Sequence, residues 1–189
     1  MPTLAAATAR IRFRYAEPAG FGRITQVGLI RNSAGPTGNA PLRILDSFAL
    51  VYSLDGTAAY HDANGVRASL HPGDALLVFP ELAHMYGPPP GGRWSEFYLV
   101  FDGPVFDLWR AQGLLDVTRP VFHCGPVDRW LPRLESVPDT PRRPGASIRE
   151  VCRLQDVLAA MLDAATVGQG PTGDAAFLSR ACALLESDL

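Results

Sequence analysis

Histidines, carboxylates and phenols are the side chains of this chain that could do chemistry, and their spacing decides which chemistry is open to them. A catalytic metal needs three or more nitrogen or oxygen ligands that converge on one point. The four histidines, His61, His71, His84 and His123, stand isolated from one another in the sequence. A lone histidine in a β-rich chain is more often a hydrogen-bonded wall residue than a ligand. We therefore predict no metal and no other cofactor.

Acid–base catalysis by two carboxylates is the second possibility. Glu96 and Asp102 lie on one predicted strand at even spacing, which puts them on the same face about 20 Å apart. Glycoside cleavage needs two carboxyl groups within about 10 Å of each other. The serines lack the GxSxG context of a nucleophile elbow, and no glycine-rich phosphate loop is present. No catalytic residues are predicted, and we expect a protein that is not an enzyme.

The most distinctive part of the sequence is the stretch 73–101, GDALLVFPELAHMYGPPPGGRWSEFYLVF. It opens with Gly-Asp before a short apolar run, which ends at Pro80 and is followed by His84. This pattern closely resembles the second conserved motif of cupin barrels. The continuation His-Met-Tyr-Gly, then Trp94 and an aromatic strand ending at Phe101, is more particular. It resembles the effector-binding domain of AraC-type (arabinose-regulator family) transcription regulators.

This resemblance implies a set of ligand-binding residues. Tyr86, Glu96 and Tyr98 match positions that carry sugar-contacting side chains in the arabinose-regulator family, His84 would line the same cavity, and Arg31 falls where the family has a ligand-binding arginine. An aromatic face with a few fixed polar groups suits a sugar. The glutamate, in place of a neutral histidine, favours a polyol or an amine-bearing ligand over an acid. The alternative is that these alternating aromatics only fill the core.

Cupin enzymes are the competing interpretation. They typically resemble a pattern with two histidines one residue apart and a glutamate on an early strand, plus one histidine in the later motif. Here only the later position is filled, by His84, and residues 47–61 offer no such pair. A metal-dependent isomerase or dioxygenase is therefore the alternative, and a stand-alone carbohydrate-binding module is a third possibility. The favoured hypothesis is a sensor that binds a small polar effector, a sugar or a polyol, and thereby controls DNA binding.

Composition and charge agree with a globular sensor. Apolar residues make up 47% and charged residues 19% of the 189 residues, which is not a disordered profile. The net charge of −2 gives the chain no attraction of its own to DNA or to an anionic membrane. Cys124, Cys152 and Cys182 are far apart and odd in number, which favours reduced thiols in the cytoplasm. No apolar run is long enough to span a membrane, so no membrane partner is expected.

Short strands dominate the chain up to about residue 124. Asp55-Gly56 and Asn64-Gly65 lie between β-rich runs, and each predicts a hairpin. Along the strand that ends at Phe101, the phenylalanines take the face opposite Glu96 and Tyr98, and we expect them to lie under the helices. The predicted fold is mainly β, a cupin-like (double-stranded β-helix) barrel followed by an α-helical dimerisation segment.

The pattern after about residue 102 is helical. Ser147 and Glu150 form a capping box that opens a helix ended by Gly168. The apolar face of this helix is wider than packing on one barrel requires. Either the helix is wedged among elements of its own chain, or a second subunit covers part of it. A helix at this place mediates dimerisation in AraC-type regulators, so the resemblance implies a homodimer with contacts from Val151, Leu154, Leu158, Met161 and Leu162.

The predicted organisation has four segments. Residues 1–20 form an N-terminal arm, 21–124 the barrel and 125–170 the helical dimerisation segment. By resemblance the arm would fold over bound ligand. Residues 171–189 look like a linker and the start of a helix-turn-helix DNA-binding domain, without the recognition helix that such a domain needs. We therefore expect the sensor part of a longer regulator, which binds DNA only through a C-terminal domain missing here.

Overall fold

Nine strands and three helices are found in the part of the chain that the structure, a computed structural model, describes, namely residues 6–13, 20–37, 40–138 and 148–168. The strands are β1 (Thr8–Phe13), β2 (Arg23–Ser33), β3 (Phe48–Gly56), β4 (Ala58–Asp62), β5 (Arg67–Leu70), β6 (Asp74–Val78), β7 (His84–Gly87), β8 (Trp94–Asp102) and β9 (Val121–His123). The helices are α1 (Pro104–Ala111), α2 (Val127–Glu135) and α3 (Ile148–Gly168).

Two antiparallel sheets build the barrel. One has six strands in the order β1-β2-β8-β3-β6-β9, and the other has three in the order β5-β4-β7. The inner faces share one apolar cluster, to which Val51 and Tyr98 contribute from the larger sheet and Tyr60 and Leu70 from the smaller. The predicted fold class, a cupin-like barrel followed by helices, is confirmed.

The two predicted hairpins have different outcomes. Strands β4 and β5 pair across Asn64-Gly65, as predicted. The hairpin predicted at Asp55-Gly56 is wrong, because β3 pairs with β6 and β8 whereas β4 pairs with β5 and β7. Gly56 has a φ of 75°, and a side chain there would overlap the backbone carbonyl of Arg93. The dipeptide is therefore the end of β3, from which the chain passes to the other sheet.

Strand β8 separates two apolar clusters. Phe97, Leu99 and Phe101 belong to the cluster between the larger sheet and the helices, where Phe101 lies against Phe106 of α1 with ring centres 4.4 Å apart. The intervening residues, such as Tyr98, point into the barrel. The predicted outward position of the phenylalanines is confirmed.

Helix α3 packs within its own chain. Val151, Leu154, Leu158 and Met161 are each no more than 1% exposed and join the cluster beneath the larger sheet. These four side chains, which were predicted to form a subunit interface, are therefore covered by their own chain. Leu162 is half-buried on the same cluster. No helix in the described residues is long and apolar enough to cross a membrane.

Part of the predicted N-terminal arm forms an edge strand of the larger sheet. Residues Thr8–Phe13 form β1, which pairs with β2 from Thr8 opposite Arg31 to Phe13 opposite Gln26. The first described strand of the sheet therefore precedes residue 21, where the barrel was predicted to begin. The proposed cap at Ser147 and the segment 171–189 lie outside the described residues.

The burial of α3 predicts a large loss of stability from a cavity in its packed face. Leu154→Ala should lower the free energy of unfolding by about 2–5 kcal/mol, because the side chain is completely buried. Leu108→Ala on α1 is the matched control, since Leu108 is 56% exposed and should cost less than about 1 kcal/mol. Urea unfolding followed by circular dichroism measures both. Equal losses in the two variants would contradict the assignment of α3 to the core of its own chain.

Candidate ligand-binding site

A cavity of about 310 Å³ opens between the two sheets. Strands β2, β7 and β8 and the segment that joins β2 to β3 supply its walls. Its polar lining consists of Gln26, Ser33, Arg43, His84, Tyr86, Glu96 and Tyr98, and its larger apolar side chains are Ile30, Ile44, Leu45, Trp94 and Val100. Four of the five residues predicted to bind ligand, His84, Tyr86, Glu96 and Tyr98, therefore line one cavity.

Strand β8 presents Glu96 and Tyr98 to this cavity. Side chains alternate along a strand, so these two residues share the inner face. Hydrogen bonding to β2 on one side and β3 on the other holds the strand in place, with Tyr98 opposite Gly28 and Val51. The positions of both side chains are thus set by the centre of the larger sheet, which is its most constrained part.

Two residues of β2 hold the Tyr98 ring. The side-chain amide of Gln26 donates a hydrogen bond of 2.7 Å to the Tyr98 hydroxyl oxygen. Gly28 lies directly under the ring, and any side chain there would overlap it. Burial raises the pKa of Tyr98, so the hydroxyl keeps its proton and can donate it. The Gly28 contact was not predicted, because a glycine in a strand does not reveal which ring lies over it.

Glu96 carries a buried carboxylate. The residue is 9% exposed, and its Oε2 atom has no hydrogen-bond partner among the described residues. Burial raises the pKa of this carboxyl to about 7, although the Arg43 guanidinium lowers it in part. A buried carboxylate oxygen without a partner is costly in the free protein, and such groups call for an explanation.

His84 and Tyr86 form the wall contributed by β7. Their rings are stacked at 6.0 Å with an angle of 8° between the planes. His84 Nδ1 lies 2.9 Å from the carbonyl oxygen of Leu82, and a carbonyl can only accept, so Nδ1 carries the hydrogen. Burial lowers the pKa of His84 and raises that of Tyr86, which keeps both rings neutral. The Nε2 atom of His84 is left as an acceptor.

Arg43 is a charged residue of the cavity lining that was not predicted from the sequence. It lies in the segment between β2 and β3, where its backbone N–H and carbonyl both bond to His84 at 2.9 Å. This bridge holds the guanidinium 5.2 Å from the centre of the Tyr86 ring. The one available clue was a single cation in the apolar run that leads into β3.

Arg31 is not among the residues that line this cavity, and its role in ligand binding stays a prediction. Arg31 is exposed on β2, and its neighbour Ile30 faces the cavity instead. Successive side chains of a strand point to opposite faces. A bulge at Asn32, with a φ of 53°, then returns Ser33 to the cavity side. The arginine that does line the cavity is Arg43.

The other histidines lie away from this cavity. His123 and His71 both bind Asp74 at one end of β6, through a contact of 2.8 Å from His123 Nδ1 and a backbone N–H bond of 2.7 Å from His71. His61 lies on β4 and is not among the lining residues. Within the described ranges, no group of three or more histidine, cysteine or acidic residues could hold a metal ion.

The match to a family model decides what kind of domain this is. Residues 26–184 match the AraC-like ligand binding domain, a range that covers most of the barrel and α3. The chain belongs to this family. The description of this family implies that the domain binds a ligand. No curated protein matches the chain.

Solved structures with a similar fold include several cupins. The protein YhaK from Escherichia coli is 20% identical with a TM-score of 0.41, over 53% of this chain and 46% of YhaK. A cupin superfamily protein from Desulfitobacterium hafniense is 17% identical with a TM-score of 0.38, over 53% of this chain and 81% of that one. The polyketide cyclase RemF from Streptomyces resistomycificus is 19% identical with a TM-score of 0.38, over 50% of this chain and 63% of RemF. The chain thus spans less than half of YhaK.

The buried carboxyl of Glu96 predicts that stability falls as the pH rises. Its pKa in the folded chain is about 7, above the ordinary value of 4.5, so between these values the folded state keeps a proton that the unfolded state has lost. The resulting loss in the free energy of unfolding is absent below about pH 4.5. It grows as the pH rises through 7, to about 3 kcal/mol at most. Urea unfolding at a series of pH values across this window measures it.

Two variants complete that experiment. Glu96→Gln should remove this decline and be the more stable protein at about pH 8, since the amide has no charge to bury. Glu135→Gln, at an exposed position of α2, should leave the pH dependence unchanged. Parallel pH curves for the wild-type chain and Glu96→Gln would refute the assignment of Glu96.

Proposed function

We propose that this AraC-like domain is the effector sensor of a transcription regulator, and that it binds a small polar molecule in the barrel cavity without chemical conversion. The observation that carries the proposal is the convergence of Tyr86, Glu96, Tyr98 and His84 on one cavity, where Glu96 Oε2 has no hydrogen-bond partner in the part of the chain that the structure describes. The volume of about 310 Å³ lies at the lower end for small-molecule sites.

A sugar or a polyol is the ligand class that the sequence suggested, and the lining supports it. Tyr86 and Trp94 both line the cavity, with ring centres 5.9 Å apart and their planes at 79°. Glu96 and His84 offer acceptors for hydroxyl groups, while the Tyr98 hydroxyl can donate. Aromatic faces combined with a few fixed polar groups are what carbohydrate recognition requires.

This domain would be one part of a larger regulator. DNA binding would come from a C-terminal domain, and the protein would act in the cytoplasm as a homodimer. Among the described residues, the exposed face of α3 contains Cys152, Arg153, Asp156, Ala159 and Asp163, and Ile148 at its start is also exposed. A dimer contact through this face would be more polar than the apolar contact expected from the sequence.

A catalytic metal is the alternative, and the lining gives it little support. Among the described lining residues His84 is the single histidine and Glu96 the single carboxylate, fewer than the three converging ligands of a catalytic metal site. We expect equilibrium dialysis against zinc, manganese or ferrous ions, followed by elemental analysis, to find less than one ion per chain. Stoichiometric metal that is lost in His84→Ala would overturn the sensor proposal in favour of a cupin enzyme.

A thermal-shift screen of sugars, polyols and amines tests the sensor proposal directly. A ligand at a hundredfold its dissociation constant adds about 2.7 kcal/mol of apparent stability. Hits should disappear in Glu96→Ala and Tyr98→Ala, because both remove cavity groups. Arg31→Ala is the control, since Arg31 is exposed and does not line the cavity. Hits that persist unchanged in both cavity variants would show that the ligand binds elsewhere.

A further inference from the structure

The buried end of the cavity is rich in hydrogen-bond acceptors. Glu96 Oε2 is shielded from solvent and has no partner in the described part of the chain. His84 is 1% exposed, and its ring N–H donates a hydrogen bond to the carbonyl of Leu82. The Nε2 atom is therefore left as an acceptor. A ligand group that reaches this end must therefore bring donors.

The open end has the opposite character. Arg43 is exposed, and its guanidinium stands over the Tyr86 ring at 5.2 Å. Two backbone hydrogen bonds to His84 fix the position of the Arg43 backbone, and the side chain therefore begins at the cavity wall. A guanidinium offers several N–H donors in a planar fork that matches a carboxylate.

The two charges of the cavity do not neutralise each other. Burial raises the pKa of Glu96 more than Arg43 lowers it, and Oε2 accepts no hydrogen bond from Arg43 or from any other described residue. Above about pH 7 the carboxylate is thus charged and buried without a bonded counterion. A ligand that brings a cation to Glu96 would remove this cost.

We propose that the effector is a small zwitterion, with a primary ammonium group against Glu96 and His84 and a carboxylate against Arg43. This inference rests on the proposed sensor function and names the ligand class for the same cavity. A diamine would place a second cation beside Arg43, and a dicarboxylate would place an anion beside Glu96. A neutral polyol would leave both charges of the cavity unpaired. Because Arg43 is exposed and Glu96 is nine-tenths buried, the two charges of the ligand would sit at different depths of the cavity and be joined by a short chain, as in an ω-amino acid.

Isothermal titration of the chain at about pH 8, where Glu96 is ionised, compares matched probes. The zwitterions are γ-aminobutyrate, δ-aminovalerate and ε-aminocaproate, and the comparison compounds are pentylamine, putrescine, glutarate and erythritol. At least one zwitterion should bind about tenfold or more tightly than every comparison compound, since a charge-assisted hydrogen bond at each end contributes to affinity.

Two cavity variants assign the two ends. Glu96→Gln should weaken the best zwitterion by about tenfold or more, because the amide no longer pairs with the ammonium group. Arg43→Gln should weaken it by a similar factor and should also abolish its advantage over pentylamine, which lacks the carboxylate. Arg31→Gln, outside the cavity, should change neither affinity. The unfolding midpoint of each variant verifies that it is folded.

The possible failures are distinguishable. If erythritol or other polyols bind in a manner that depends on Glu96 and the zwitterions do not, the zwitterion class is wrong and the sensor function stands. If zwitterions bind equally well to Arg43→Gln, the assignment of their carboxylate to Arg43 is overturned. If neither zwitterions nor sugars and polyols bind, both this inference and the proposed function fail.

Discussion

The alternation of side chains along β8 is the constraint on which the rest of the structure depends. This strand is hydrogen-bonded on both sides, and its Phe97, Leu99 and Phe101 are buried against the helices. A shift of register by one residue would expose those rings to the barrel interior and drive a carboxylate into the apolar layer. The cost of that exchange holds Glu96 and Tyr98 toward the cavity. Core packing on one face of the strand therefore determines the ligand-facing chemistry of the other.

The cavity carries a free-energy cost that the core offsets. A carboxylate that is nine-tenths buried, with one oxygen that no described residue bonds, makes the free domain less stable than a neutral residue would. Its position among aromatic rings and an arginine makes sense if the missing partner is a ligand group. Sites that bind ligands often keep such unsatisfied groups, because satisfying them within the chain would remove the driving force for binding.

Much of this could be predicted from local patterns, and the exceptions are instructive. The aromatic strand, the Asn64-Gly65 hairpin and the convergence of Tyr86, Glu96 and Tyr98 all follow from period-two alternation and from the resemblance of one stretch to a known family. Asp55-Gly56 has the same turn chemistry as a hairpin, yet its flanking strands pair with other partners. The apolar face of α3 was correctly recognised as buried, but what covers it was not.

By itself the sequence determined the class of fold, the strand that carries the ligand-facing side chains and the family of the domain. These depend on periodicity and turn residues, which are local. The tertiary structure alone decided that Arg43 rather than Arg31 reaches the cavity, that Gly28 lies under Tyr98, and that α3 is covered by its own chain. Each of these is a contact between segments far apart in the chain, and it depends on a bulge, a bridge or a packing choice that no local pattern records.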